Sequence, residues 1–158
     1  WACGVDWRAR LMPIYLERKM KRIAVMMAAV VAASVHAAVP ASLERSLAGF
    51  ERQELTYKDG VLRMVMNRSV VQWDVFSTVT TLGLCAPYWR KEKDLVKFSP
   101  RRFEVVNARQ AQGFALAEDI AKGCAKVGKQ GGAEYLKSKT WVCIAGMPCR
   151  ERRAGEAL

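Results

Sequence analysis

The side chains able to do chemistry are few and unevenly placed. The 158-residue chain has five cysteines, Cys3, Cys85, Cys124, Cys143 and Cys149, and one histidine, His36. Beyond residue 36 this excludes Ser-His-Asp and Cys-His nucleophilic catalysis, histidine-ligated metals and imidazole pH switching. No cysteine spacing is a CxxC, so a thioredoxin-like redox motif or zinc knuckle is not supported. No cofactor and no metal is expected.

Four short stretches invite a functional reading. Gly123 to Gln130, GCAKVGKQ, matches GxxxxGK but has Gln130 where Ser or Thr should hold Mg²⁺. It falls at the expected C-terminal end of a helix, where carbonyls repel anions, so the glycines read as a helix stop. Glu118-Asp119 is an adjacent acidic pair whose side chains diverge by about 100° on a helix. A carboxylate pair for hydrolysis would have to be assembled from distant acids such as Glu51, Asp74 and Glu104, spaced roughly 5–10 Å across a cleft. Ser99-Pro100-Arg101-Arg102 places two cations where a helix start is expected, an unfavourable choice against the helix dipole and a candidate site for an acidic partner. Tyr88-Trp89-Arg90-Lys91 combines aromatics and cations in the manner of a binding hot spot. The partner-binding candidates are therefore Tyr88, Trp89, Arg90, Arg101 and Arg102. Asn67-Arg68-Ser69 is a glycosylation sequon, of little consequence behind a leader of bacterial style.

That leader is Met20 to Ala37, MKRIAVMMAAVVAASVHA. Lys21 and Arg22 form a cationic start, Ile23 to Val35 an uncharged run of thirteen residues, and Val35-His36-Ala37 a cleavage site, with the cut expected after Ala37. Spanning a bilayer takes about 20 apolar residues in a helix, so the run reads as a cleaved signal peptide at 20–37 and not as a permanent span. Residues 1–19 then read as an untranslated leader or expression remnant upstream of a start at Met20. The mature part, Ala38 to Leu158, is 121 residues, suited to one domain at 38–151 and a disordered tail at 152–158.

Processing also makes the cysteine count even. Cys85, Cys124, Cys143 and Cys149 read as two disulfides of an exported domain, with three connectivities open. Antiparallel helices would favour tying Cys85 to one of Cys143 and Cys149, and Cys124 to the other. Of the 26 basic and 15 acidic residues, 20 and 13 lie beyond residue 37, a net charge of +7. Such a balance suits an acidic partner or an anionic surface. Export and the spread of the basic residues argue against nucleic acid.

The elements that must position these groups read as mostly helical. Ser42 offers an N-cap, and Leu43, Leu47 and Phe50 recur at helical spacing until the Asp59-Gly60 turn signal. From Val61 to Leu84 a stripe of Leu62, Val65, Met66, Val70, Trp73, Phe76 and Val79 predicts a helix, although the Val and Thr content favours strands. Ser99 and Pro100 predict the start of a helix carrying Phe103, Val106, Phe114, Ala117, Ala121 and Cys124 on one face. A shorter helix is predicted over Ala133 to Cys143. The expected fold is all-α, about four helices stapled by two disulfides, with α+β as the alternative.

No motif is specific enough to name a family. The expected function is a non-enzymatic, periplasmic or secreted protein that binds another envelope or secreted protein, as an immunity-type inhibitor or an accessory subunit of a secretion or conjugation system. A small periplasmic hydrolase using carboxylates and a basic binder of anionic lipid or cell-wall polymer are the alternatives.

Overall fold

Alternation, not helical spacing, organises the middle of the chain. In the computed structural model, which describes residues 38–145, 147–153 and 156, Val61–Met66 is a strand in which Leu62, Met64 and Met66 enter one apolar cluster while Val65 enters another. A period of two places alternate side chains on opposite faces of a sheet. The expectations for 1–19 and 20–37, with Cys3 and His36, lie outside the described residues, as do positions 154, 155, 157 and 158 of the expected tail.

The chain begins with α1 (Ala41–Ala48), then a hairpin of β1 (Arg52–Lys58) and β2 (Val61–Met66). A long connection comes next, carrying α2 (Trp73–Thr78), a π-helical stretch (Val79–Cys85), α3 (Ala86–Trp89) and a 3₁₀ turn (Lys93–Leu95). A second hairpin comprises β3 (Arg102–Val106) and β4 (Gln112–Leu116). Two helices, α4 (Ile120–Val127) and α5 (Gly132–Ser138), lead to β5 (Thr140–Ile144) and the short β6 (Arg150–Glu151). The six strands lie in sequence order, antiparallel throughout except for β2 beside β3. A parallel pair needs a crossover connection, and the helical segment between β2 and β3 supplies it.

Each face of the sheet can be traced strand by strand. Leu55, Met64, Val105, Phe114 and Val142 are successive cross-strand partners, and Tyr57, Leu62, Phe103, Leu116 and Thr140 form the next row. These rows meet Leu43 and Leu47 of α1, Phe76 of α2, Val79, Leu84, Ile120 and Leu136 in the main core. Trp73, Phe76 and Phe114 stack with centroids 5.6–6.2 Å apart. Fully burying each such apolar side chain contributes about 1.5–3 kcal/mol.

The all-α expectation is therefore corrected: the fold is α+β, built on a mixed sheet. Val61–Met66 is a strand and only the second half of the expected 61–84 helix is helical. The helix expected from Ser99 is the β3–β4 hairpin followed by α4, and the expected 133–143 helix gives way to β5 at Thr140. The misleading feature is the β3–β4 turn, which contains no Gly or Pro. Asn107 makes it instead: its buried side-chain oxygen accepts from the amides of Ala111 at 2.8 Å and Gln112 at 3.2 Å, while its amide donates to the Ser69 carbonyl at 2.7 Å. Side chains of this type replace backbone turn bonds. Gly113 permits the close pairing, since a Cβ there would overlap the carbonyl of Val105.

Where the short-range signals were strong they hold. α1 forms at Leu43 and Leu47 but stops at Ala48, and the rest of the helix expected up to Asp59-Gly60 is β1; the first turn of α1 is capped by the Asp94 carboxylate, which accepts from the Ser42 amide at 2.9 Å, and not by the Ser42 side chain. Asp59 and Gly60 both take positive φ, 52° and 78°, at the β1–β2 turn, as a type I′ hairpin requires.

Candidate binding face

The helices cover one side of the sheet. On the other, cross-strand registers place Thr56, Arg63, Glu104, Ala115, Trp141 and Glu151 in a single row. A neighbouring row runs Glu54, Val65, Val106, Gly113 and Cys143. Val65, Val106, Ala115, Cys143 and Cys149 pack as a small second cluster with Trp141 against it.

Glu104 is the anomaly on this face. Its side chain is 1% exposed, although it sits in the middle of a strand with apolar neighbours. Oε2 accepts from Arg63 Nε at 2.7 Å and lies 2.7 Å from the Nη2 of the same guanidinium. Oε1 lies 2.9 Å from Arg102 Nε, off the axis of a good hydrogen bond, so this is chiefly a Coulomb contact. Burying a carboxylate is expensive unless it is paired. Here one buried anion meets two cations that remain 44% and 30% exposed. The cluster therefore carries one net positive charge, with both guanidinium groups fixed against a rigid strand.

Arg101 is held differently. Its amide donates to the Gly60 carbonyl at 2.8 Å and its Nη2 to the Asp59 carbonyl at 3.3 Å, so it clasps the β1–β2 turn. Between that turn and Trp141 lies a pocket of about 280 Å³ lined by Asp59, Gly60, Val61, Arg101, Arg102, Ala117 and Trp141. Arg101 and Arg102 thus stand at the start of a strand, not of a helix, and the dipole argument for them does not apply. The structure gathers them with Arg63, Glu104 and Trp141.

Tyr88, Trp89 and Arg90 are placed elsewhere, in the helical layer. The Tyr88 hydroxyl donates to the Phe98 carbonyl at 3.2 Å, and burial, then the nearby Asp119 charge, push its pKa well above the usual tyrosine range. Trp89 Nε1 donates to the Cys124 carbonyl at 2.8 Å while the indole remains 41% exposed. Arg90 pairs with Glu92 at 3.2 Å.

The cysteines form Cys85–Cys124 and Cys143–Cys149, and not the pairing that antiparallel helices suggested. The first joins the π-helical stretch to α4 beneath Trp89. The second closes the loop between β5 and β6 on the candidate face. The GCAKVGKQ stretch runs off the C-terminal end of α4, and its cysteine is the bridged Cys124.

The acids separate. Asp119 is the N-cap of α4, accepting from the Lys122 amide at 3.0 Å and the Ser99 hydroxyl at 2.7 Å, and these bonds hold it below the usual carboxylate range. Glu118 pairs with Lys126 at 3.3 Å. Glu51 and Asp74 line a common pocket, but Arg68 engages both Glu51 oxygens, at 2.7 and 3.1 Å, and holds that carboxyl low. Glu104 stands on the opposite side of the sheet from the helical layer that carries Asp74. A larger groove of about 630 Å³ lies beside α2, lined mainly by Val70, Trp73, Phe114, Val142 and Ile144. Among the described residues no group of His, Cys, Asp and Glu could hold a metal ion.

Sequence reasoning passed over Arg63 and Trp141 as candidates and treated Glu104 as one scattered acid. The available signal was the alternation in Arg102-Phe103-Glu104-Val105-Val106, in which a single acid interrupts an apolar strand. Comparison with protein-family models, with curated proteins and with solved structures finds no match.

Proposed function

We propose that this chain is an exported, non-enzymatic binding protein of the bacterial envelope, an immunity-type inhibitor or an accessory subunit, that holds an acidic partner protein on the sheet face opposite its described helices. The observation that carries the reading is Glu104, a buried carboxylate spent on fixing Arg63 and Arg102 at a surface no described helix covers. A rigid guanidinium loses less entropy on binding than a free one and matches carboxylate geometry. Two disulfides fit a chain that folds in an oxidising compartment, and no helix among the described residues is long and apolar enough to cross a membrane.

The test is affinity capture from periplasmic extract with the disulfide-bonded protein immobilised. A specific partner should be retained by the wild type and released in moderate salt, because exposed charge pairs are screened over about 8–10 Å at such ionic strength. R63E and R102E should each lose it. Equal recovery by both variants would move the function away from this face.

A further inference from the structure

We infer that the ligand of this face is an extended acidic segment with two carboxylates at positions i and i+2, one on Arg63 and one on Arg102; this deepens the proposed function and rests on it.

Register fixes the spacing. Val61 pairs with Arg102 and Arg63 pairs with Glu104, so the two arginines stand on neighbouring strands one step apart on the diagonal. With strands about 4.8 Å apart and about 6.6 Å per two residues, such diagonal positions are separated by about 8 Å, and both side chains lean toward Glu104 between them. In an extended peptide, side chains on the same edge recur every two residues, about 6.6–6.8 Å. The two distances match, whereas adjacent acidic residues point to opposite edges and a spacing of three overshoots.

Each cation retains donors for such a ligand. Arg63 turns Nε and Nη2 to Glu104, and its remaining nitrogen reaches only Gln110 Oε1 at 3.5 Å. Arg102 turns Nε inward, and its guanidinium borders the pocket that Trp141 walls. An acidic side chain entering there lays its aliphatic stem against the indole and its carboxylate on Arg102.

The charge pattern favours a short segment over a uniformly charged polymer or bilayer. Glu54 on β1 and Glu151 on β6 are exposed at opposite margins of the face, and Asp59 lies at the turn end, so the cations Arg63 and Arg102, with Lys58 and Arg101 at their corner, stand between acidic margins. A polyanion crossing the whole sheet would meet these margins, while a segment lying over β2 and β3 avoids Glu54 and Glu151. A second copy presents the same arginines and gains nothing from the central pair.

The experiment is an NMR titration of the isotope-labelled, disulfide-bonded protein, following the Arg side-chain Nε–H and Trp141 indole signals up to millimolar ligand. The probes are end-blocked peptides with two glutamates adjacent, separated by one serine, or separated by two. The one-serine peptide should shift the Arg63, Arg102 and Trp141 signals and bind about fivefold tighter than the others, the value of one partly exposed ion pair. R102Q should lose that preference. T56D, which sets a competing carboxylate directly across from Arg63 without touching Glu104, should weaken binding similarly if R102Q folds poorly.

Equal affinity for all three spacings, or no shift with any of them, overturns the segment. So does tighter, arginine-dependent binding of polyphosphate or of vesicles containing phosphatidylglycerol. In any of these cases, retention of an envelope protein by wild type but not R63E leaves the proposed function standing. Loss of that dependence as well removes both.

Discussion

The Arg63–Glu104–Arg102 cluster is asymmetric, and the asymmetry predicts which of its members the fold can lose. Glu104 is 1% exposed and the arginines 44% and 30%, so water can take over from the carboxylate for either cation but not from the cations for the carboxylate. Replacing Glu104 with Leu removes the buried charge and keeps an apolar side chain of similar reach. The two guanidiniums then turn to solvent, and the expected loss is small, about 1 kcal/mol, since apolar replacement of buried ions is often close to neutral. Replacing both arginines with Met keeps long aliphatic side chains at these positions but leaves Glu104 buried and unpaired, at about 3–5 kcal/mol. Adding the Glu104→Leu change to the double variant should recover most of that loss. Urea unfolding with disulfides intact, read by fluorescence and circular dichroism together, measures all four proteins on one scale. If R63M/R102M is no less stable than E104L, or if the triple variant is the least stable of the set, the carboxylate does not depend on these two cations and the reasoning fails.

Asp119→Ala should lower stability by about 1 kcal/mol through loss of the α4 cap, with Asp119→Asn costing less, as unfolding midpoints will show. Glu51, Asp94, Asp119 and Glu156 are all held low by their donors, Glu156 to about 2 by Arg150. A lowered carboxylate stabilises the fold above its unfolded value of about 4 and loses that contribution as pH falls through the folded value. The described residues contain no histidine and their cysteines are bridged, so Tm should be flat between about pH 5.5 and 8 and fall below about pH 4; a step near pH 6.5 would contradict this. Removing Cys85–Cys124, which spans 39 residues, should cost about 4 kcal/mol, and removing Cys143–Cys149, which spans 6, about 2 kcal/mol. Denaturant midpoints of the paired alanine variants in the reverse order would refute the loop-entropy argument.

Some of the molecule could be read directly from its residues. The spacing of Leu43 and Leu47 forms α1, Asp59-Gly60 turns the first hairpin because both positions need positive φ, and four cysteines close two bridges. These are effects of neighbours within a few residues, or of a count. The sheet was hidden because its signals are non-local. Phe103 and Val106 fit a helical stripe and a strand equally well over so short a run, and only pairing with β2 and β4 decides between them. The turn between β3 and β4 was hidden because Asn107, and not a Gly or Pro, makes it, and its side-chain amide is held in place by a carbonyl 38 residues away. The candidate binding face depends on tertiary structure in the same way. Arg63, Glu104 and Trp141 are separated by about 40 residues each, and nothing in their local context joins them. Sequence alone supplied the cations, the absence of histidine beyond residue 36 and the even set of cysteines that follows it; the register of four strands decided which charges meet, which one is buried, and which remain exposed.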